Sequence, residues 1–246
     1  KAVTKKKKIV FFKGSYHGTF DSLLTLKKNP TTNIARESIP GVTQSILNES
    51  YLFEYGTEES LTFIKENRDT IAAVLVEPVQ SRNPALQPLS YLQELRLVTE
   101  ENNIALIFDE VITGFRIGLG GCQEYFNIRA DIVTYGKVIG GGLPIGVVAG
   151  KSKFLDALDG GFWQYGDESF PMVKSTFVAG TFCHHPLAMA TSLRTLEILN
   201  TSNGKLLHKL NRITTNFCAR MNAFFIENGF KLSIVYFGSL FRFQAP

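Results

Sequence analysis

The sequence predicts an α/β protein whose sheet is mostly parallel and flanked by helices. Two short apolar runs support this prediction: Ile104–Phe108, which leads into Asp109, and Asp131–Gly136, which leads into Lys137. Continuous apolar runs of this length, bounded by polar or glycine-rich segments, are typical of buried parallel strands. A hydrophobic content of 44% is consistent with a domain that buries a sizeable core.

The remaining elements follow from the spacing of apolar residues along the chain. Apolar runs predict further strands at 8–12, at 70–76 and within 230–243. Helical spacing predicts helices at 58–67, 90–101, 153–158, 191–199 and 205–228. We expect Ser90 to be an N-cap and Asn228–Gly229 to end the last helix. Residues 21 to 60 carry many turn signals, and the sequence does not assign them further.

Composition and charge argue against several classes of protein. A net charge of +4 is too small to indicate nucleic-acid binding, and no apolar run approaches the ~20 residues of a membrane helix. The three cysteines are widely spaced and form no metal-binding motif, which favours a reducing, cytoplasmic location. The first residues lack the apolar segment of a signal peptide. Because the chain has no initiator Met and stops just after a strand-like run, we expect it to be part of a longer protein.

Asp109 and Lys137 each follow a predicted strand, and ligands of open α/β sheets bind outside the carboxyl ends of the strands. A lysine that forms a Schiff base must be reachable yet partly desolvated. A pyridoxal phosphate ring needs a carboxylate beside its nitrogen, because the protonated ring is the electron sink. The pair therefore predicts a pyridoxal phosphate site. The alternative for each residue alone is a helix-capping aspartate and a solvated loop lysine.

The strings FDEVITGFR and TYGKVIGGGLPIG resemble the class III, fold-type I pyridoxal phosphate aminotransferases, especially the glutamate-1-semialdehyde aminomutase branch. The resemblance implies a large cofactor-binding domain over 1–195, without its N-terminal part. It also implies a linking helix and the start of a smaller C-terminal α+β domain over 196–246. By the same resemblance, Lys137 forms the Schiff base, Asp109 keeps the ring nitrogen protonated, and Val111 packs on one face of the ring.

Further site residues are implied by shorter motifs. FKGSYHG resembles the family motif in which Tyr16 stacks on the cofactor ring and His17 lies nearby; the alternative is that both fill a turn. Glu77, in an EP motif at a strand end, is expected to order the hydrogen bonds of the site. AGTFCHHPLA resembles the segment whose threonine, here Thr181, donates to the cofactor phosphate of the other subunit. This implies a homodimer with shared active sites. His184–His185 replaces the usual Gly-Asn, and the absence of a third ligand argues against a metal.

Two departures from the family pattern concern the substrate. Arg82 stands where many omega-aminotransferases carry a glutamate that helps them accept alternating substrates, and Ile112 stands where many relatives carry a glutamine. The arginine puts the device for alternating substrates in doubt, and the isoleucine moves the chain away from the ornithine and 4-aminobutyrate type of enzyme.

The segments VQSRNPALQP, GGFWQYGDESFP and AGTFCHHPLA resemble aminotransferase domains embedded in polyketide/nonribosomal peptide synthases. We therefore expect transfer of an amino group from an amino acid donor to a beta-ketoacyl thioester on a phosphopantetheinyl carrier protein. One alternative is glutamate-1-semialdehyde 2,1-aminomutase of tetrapyrrole biosynthesis. Another is a non-catalytic dimerisation or carrier-docking scaffold, against which the retention of Lys137, Asp109, Tyr16 and Thr181 argues.

Overall fold

A six-stranded sheet forms the centre of the structure, a computed structural model that describes residues 1–27 and 36–245. Its strands lie in the order β4 (Ser50–Phe53), β1 (Lys8–Phe12), β5 (Ile71–Val76), β6 (Ala105–Asp109), β7 (Ile132–Gly136) and β8 (Gly146–Gly150). Neighbouring strands are parallel except β7 and β8, which are antiparallel. The prediction of a mostly parallel α/β fold is confirmed.

The helices and two small antiparallel sheets surround this sheet. The helices are α1 (Gln44–Leu47), α2 (Glu58–Glu66), α3 (Leu89–Glu101), α4 (Gly121–Phe126), α5 (Ser152–Asp159), α6 (Pro186–Thr201) and α7 (Lys205–Glu227). The small sheets pair β2 (Thr25–Lys27) with β3 (Arg36–Ser38), and β9 (Ser233–Phe237) with β10 (Leu240–Gln244). No helix within the described ranges has the length and apolar character that a membrane span requires.

Burial on both faces of the central strands explains their continuous apolar sequences. On one face, Val74 and Val76 of β5 and Leu106 and Phe108 of β6 are fully buried, and on the other face Ala73 and Ala105 are at most 5% exposed. Helices α2 and α3 cover this part of the sheet with one apolar side each, the buried residues being Leu61, Ile64, Leu92, Leu95 and Val98. Each such side chain contributes roughly 1.5–3 kcal/mol of transfer free energy on burial.

The structure also differs from the sequence prediction at several places. Helix α3 begins at Leu89 after Pro88, so Ser90 lies inside the first turn and its prediction as N-cap is wrong. Helix α6 begins at Pro186, earlier than predicted, because proline suits the first position of a helix. A left-handed Gly204 (φ 75°) then separates α6 from α7. The predicted helix end at Asn228–Gly229 is confirmed.

Asp131, just before β7, joins three elements at the amino end of the strands. One carboxylate oxygen accepts hydrogen bonds from Arg96 Nη1 and the Leu106 backbone N–H, both at 2.9 Å, and the other pairs with Lys151 Nζ at 2.7 Å. Burial alone would raise the pKa of this carboxyl, but the bonds and charges of these three partners outweigh it and hold the pKa below its usual value.

Candidate active site

A cavity of about 370 Å³ opens at the carboxyl ends of β5, β6 and β7. Its lining consists of Tyr16, His17, Gly18, Leu75, Glu77, Ser81, Asp109, Val111, Ile112, Thr134 and Lys137. Six of the seven residues predicted from the sequence therefore line one pocket. The topology explains this, because parallel strands place their carboxyl ends along the same edge of the sheet. Thr181 is the exception.

Asp109 is the last residue of β6 and is held by three donors. Its Oδ1 accepts from the Val111 backbone N–H at 3.1 Å and from Thr134 Oγ1 at 3.3 Å, while Oδ2 accepts from His17 Nδ1 at 2.8 Å. The aspartate side chain is only 12% exposed, and within the described ranges no lysine or arginine forms an ion pair with it. The negative charge is thus oriented by hydrogen bonds and left without a fixed cationic partner.

His17 contacts Asp109 through Nδ1, and its side chain is only 3% exposed. Because an ionised carboxylate only accepts hydrogen bonds, the nitrogen that meets Asp109, Nδ1, carries a proton. The other nitrogen, Nε2, is buried and has no hydrogen-bond partner. A second proton on Nε2 would be a buried donor without an acceptor, which costs about 1–3 kcal/mol or more. The contacts therefore favour a neutral imidazole with its proton on Nδ1.

Lys137 directly follows β7 and has a left-handed backbone, with φ 47°. Such a conformation is uncommon for a residue with a Cβ, and outliers of this kind cluster at functional sites. The chain reverses here through a 3-10 turn, Lys137–Gly140. Gly136 allows the close approach that precedes it, because a Cβ at this position would stand 3.1 Å from the carbonyl oxygen of Ile145. The turn brings Lys137 into the lining of the cavity that contains Asp109.

Glu77, immediately after β5, holds two loops of the pocket together. Its Oε2 accepts from the Tyr16 backbone N–H at 3.2 Å, and its Oε1 accepts from the Ser81 backbone N–H at 3.4 Å. Burial raises the pKa of this carboxyl, and the hydrogen bonds from Ser81 and from the Tyr16 backbone N–H offset only part of the rise. Glu77 therefore lines the pocket and also supports the loop that carries Tyr16.

The sequence analysis missed a second residue with the same task, Gln80. Its side chain is buried, and its Nε2 donates to the Lys13 carbonyl oxygen at 2.8 Å and to Ser15 Oγ at 2.9 Å. The only sequence signal was its place three residues after Glu77 at a strand end. Its partners lie more than 60 residues away in the chain, so spacing could not identify them.

Thr181 lies at a different cavity of about 720 Å³, between β8 and the segment that precedes α6. That cavity is also lined by Phe182, His184 and His185. Residues 162–187 are all exposed in this single chain. Within the described residues, no group of three histidine, cysteine or acidic side chains could hold a metal ion.

Glu110 lies next to the pocket and has a structural role. The side chain is fully buried and accepts from the backbone N–H groups of Cys122 and Gln123, at 2.6 and 3.2 Å, and from Thr113 Oγ1 at 3.2 Å. Burial raises its pKa, and these donors partly offset the rise. It therefore anchors the start of α4 to the end of β6.

Similarity to known proteins places this sheet and pocket in a family. The model of the family described as aminotransferase class-III matches residues 1–229. Over 244 residues the chain is 36% identical to the glutamate-1-semialdehyde 2,1-aminomutase of Methanosphaera stadtmanae, which covers 96% of this chain and 54% of that protein. Over 204 residues it is 42% identical to the protein of the same name from Sulfolobus acidocaldarius, covering 82% of this chain and 46% of that protein.

Solved structures agree with the family match. An omega-transaminase from Sphaerobacter thermophilus superposes on 100% of this chain and 56% of its own, with a TM-score of 0.84 and 27% identity. A structure described as a transaminase with PLP bound gives the same TM-score over 100% of this chain and 55% of its own, at 26% identity. The predicted fold-type I architecture is confirmed. The chain belongs to the class-III aminotransferases. It spans about half the length of the curated relatives it matches.

Proposed function

We propose that this protein is a pyridoxal phosphate-dependent aminotransferase and that Lys137 is the residue that binds the cofactor covalently. The observation that carries the proposal is the presence, in one pocket, of Lys137 and of a carboxylate, Asp109, that no lysine or arginine of the described chain neutralises. A protonated pyridine nitrogen is the cation that such a carboxylate suits. Tyr16 supplies an aromatic ring to the same lining, as a stacking partner for the cofactor requires.

When bound, pyridoxal phosphate supplies an electron sink for the carbanion formed at the amino-bearing carbon of the substrate. Lys137, which lines the same pocket, would take up and return the proton at the amino-bearing carbon of the substrate. Asp109, oriented by its three donors, keeps the ring nitrogen protonated. Tyr16 and Val111 limit the movement of the ring, and Glu77 fixes the loop from which Tyr16 projects.

Two substrates remain for this chemistry, and the relatives favour one of them. The similar proteins from Methanosphaera stadtmanae and Sulfolobus acidocaldarius are both named glutamate-1-semialdehyde 2,1-aminomutase. This supports the aminomutase reading over the carrier-bound beta-ketoacyl thioester that we expected first from the sequence. The thioester, and the carrier protein that it requires, stay predictions from three sequence segments. The non-catalytic scaffold is disfavoured because the pocket retains Lys137, Asp109 and Tyr16 together.

We further propose a homodimer in which Thr181 serves the pocket of the partner subunit. Thr181 does not line the pocket of its own chain, and it lies in a stretch, 162–187, in which every residue is exposed. Large apolar side chains in this stretch are mostly exposed, notably Phe162, Phe177 and Phe182. Several large apolar side chains exposed within one stretch support an interface with a partner subunit. Sedimentation of the natural protein at micromolar concentration should give a dimer, and replacing Phe177 with Asp should shift it toward monomer.

Two further proposals concern the domains of the chain and its location. The division into a large domain over 1–195 and the beginning of a smaller one over 196–246 stays a proposal, supported by the separate β9–β10 sheet that packs on α7. A cytoplasmic location stays a proposal, supported by three free cysteines.

The test of the reaction offers both substrates to the natural full-length protein supplied with pyridoxal phosphate. Conversion of glutamate-1-semialdehyde to its amino ketone isomer would support the aminomutase. Because the two isomers have the same mass, the product is identified by chromatography against an authentic standard of the amino ketone. A beta-amine on a beta-ketoacyl carrier protein, formed only with an amino acid donor, would support the carrier-bound substrate. Cofactor binding without turnover of either would require another amino acceptor, and failure to bind pyridoxal phosphate would refute the proposed class.

A further inference from the structure

Arg82 lies against the ring of Tyr16 at the rim of the pocket. Its guanidinium carbon is 5.8 Å from the ring centroid, within the ~6 Å at which a cation is attracted to an aromatic face. Arg82 is not among the residues that line the cavity, whereas Tyr16 is, so the arginine approaches the ring from outside the pocket. Among the described residues, Arg82 forms no ion pair, and its charged group instead contacts the Tyr16 ring.

The two loops that carry this pair are fixed to each other by buried polar side chains. Glu77 accepts from the backbone N–H groups of Tyr16 and Ser81, the residue directly before Arg82. Gln80 donates to the Lys13 carbonyl oxygen and to Ser15 Oγ on the Tyr16 loop. The contact between Arg82 and Tyr16 is thus a consequence of a built arrangement, because four hydrogen bonds set the distance between their backbones.

We propose that Arg82 is a positioning residue that holds the Tyr16 ring in the orientation for stacking on the cofactor. The proposal rests on the proposed function, because it assigns Tyr16 to the cofactor ring. The Tyr16 ring is 53% exposed, so little packing restrains it apart from this contact. A cation against one face limits the rotation of the ring while the other face stays available to the pocket. Ordering the ring before binding lowers the entropy that the cofactor must overcome.

The test is a double-mutant cycle on pyridoxal phosphate affinity, measured with the natural full-length protein. Arg82→Met removes the charge and keeps most of the apolar stem, and Tyr16→Leu removes the ring. We expect Arg82→Met to weaken cofactor binding by about two- to fivefold, the range for an exposed cation–ring contact. In the Tyr16→Leu background the same change should have no effect, and Arg82→Lys should restore most of the affinity. Equal losses in both backgrounds, or no loss in either, would overturn the proposal.

A second readout needs no cofactor and separates this proposal from the proposed function. In protein labelled with ¹³C-tyrosine, ring-carbon relaxation should show that Tyr16 becomes more mobile in Arg82→Met. The matched control is Arg68→Met, an exposed arginine after α2 that hydrogen-bonds only a backbone carbonyl, and it should leave the Tyr16 signal unchanged. Unaltered Tyr16 mobility in Arg82→Met overturns the positioning role. Failure of the wild-type protein to bind pyridoxal phosphate would instead overturn the proposed function.

Discussion

Two aspartates lie at opposite ends of neighbouring strands and have the same side chain but different surroundings. Asp131, at the amino end of β7, is paired with the cations of Arg96 and Lys151. Asp109, at the carboxyl end of β6, is held by a backbone N–H, a hydroxyl and His17, and by no lysine or arginine of the described chain. One carboxylate is neutralised by the protein itself, while the other is oriented and left charged.

The difference separates a structural carboxylate from one arranged for a ligand. The lowered pKa of Asp131 means that its charge stabilises the folded state near neutral pH, and a charge that the fold already neutralises offers nothing to a bound molecule. A charge that hydrogen bonds orient without neutralising stays available to a bound cation. Lys137, in the same pocket as Asp109, has a left-handed backbone conformation that is uncommon for a residue with a Cβ. The carboxyl ends of the strands are therefore specialised for binding, and the amino ends for stability.

The largest expected effect is on activity, from Asp109→Asn. The amide keeps the acceptor for the Val111 N–H but loses the negative charge, so we expect turnover to fall by about 10²- to 10³-fold, as for other oriented electrostatic groups. The melting temperature should change little, because His17 can change tautomer and accept from the amide. Steady-state kinetics and calorimetry on the same preparation test this. Full activity in the variant would contradict the assignment.

The matched change at the other edge, Asp131→Asn, should reverse the pattern. Removing one member of a partly buried ion pair leaves Arg96 without its partner, and we expect a loss of about 3 kcal/mol in the free energy of unfolding. Under conditions in which both proteins are fully folded, cofactor affinity should be unaffected. Urea unfolding measures the first and equilibrium dialysis the second; a variant as stable as wild type would show that this cluster does not stabilise the fold.

The Asp131 cluster also predicts how stability depends on pH. Its folded-state pKa is depressed below the usual 3.8, so its contribution is fully present above that value and is lost as the pH falls through the lower folded pKa. The stability difference between wild type and Asp131→Asn should therefore shrink below about pH 4. Unfolding curves between pH 3 and pH 7 test the sign, and a difference that grew on acidification would exclude this explanation.

A smaller effect is expected at His17. His17→Asn retains an N–H donor close to the position of Nδ1, whereas His17→Leu removes the donor, and a hydrogen bond to a charged group contributes roughly 1.5–3 kcal/mol. We expect His17→Leu to weaken cofactor binding by about tenfold and His17→Asn to keep most of the affinity. In the wild type, ¹⁵N shifts should report a proton on Nδ1 alone; equal losses in both variants would mean that the imidazole acts through its bulk.

The sequence predicted the part of the fold that depends on local patterns. Phe108 and Val133 are buried in the core, so the runs around them are apolar, and a charged residue at the end of each run marks the carboxyl end of its strand. Strands β4 and β8 were missed, since SYLF lies among turn signals and GVVAG is half exposed and bounded by glycine. The residues at the separate strand ends meet in one pocket because the strands are parallel and adjacent.

Contacts between distant loops could not be predicted from spacing. Gln80 reaches Ser15, and Arg82 reaches Tyr16, only because β1 and β5 are neighbours in the sheet. The orphan nitrogen of His17 likewise depends on what packs around it. Such features decide how a site works, and they arise from tertiary packing.

The most direct test of the central claim is to identify the lysine that holds the cofactor. The natural protein would be incubated with pyridoxal phosphate, treated with borohydride to fix the cofactor irreversibly to its lysine, digested and mapped by mass spectrometry. We predict the pyridoxyl mass on the peptide that contains Lys137, its loss in Lys137→Ala, and its retention in Lys209→Ala, which changes an exposed lysine of α7. A label on another lysine, or no label at all, would contradict the account.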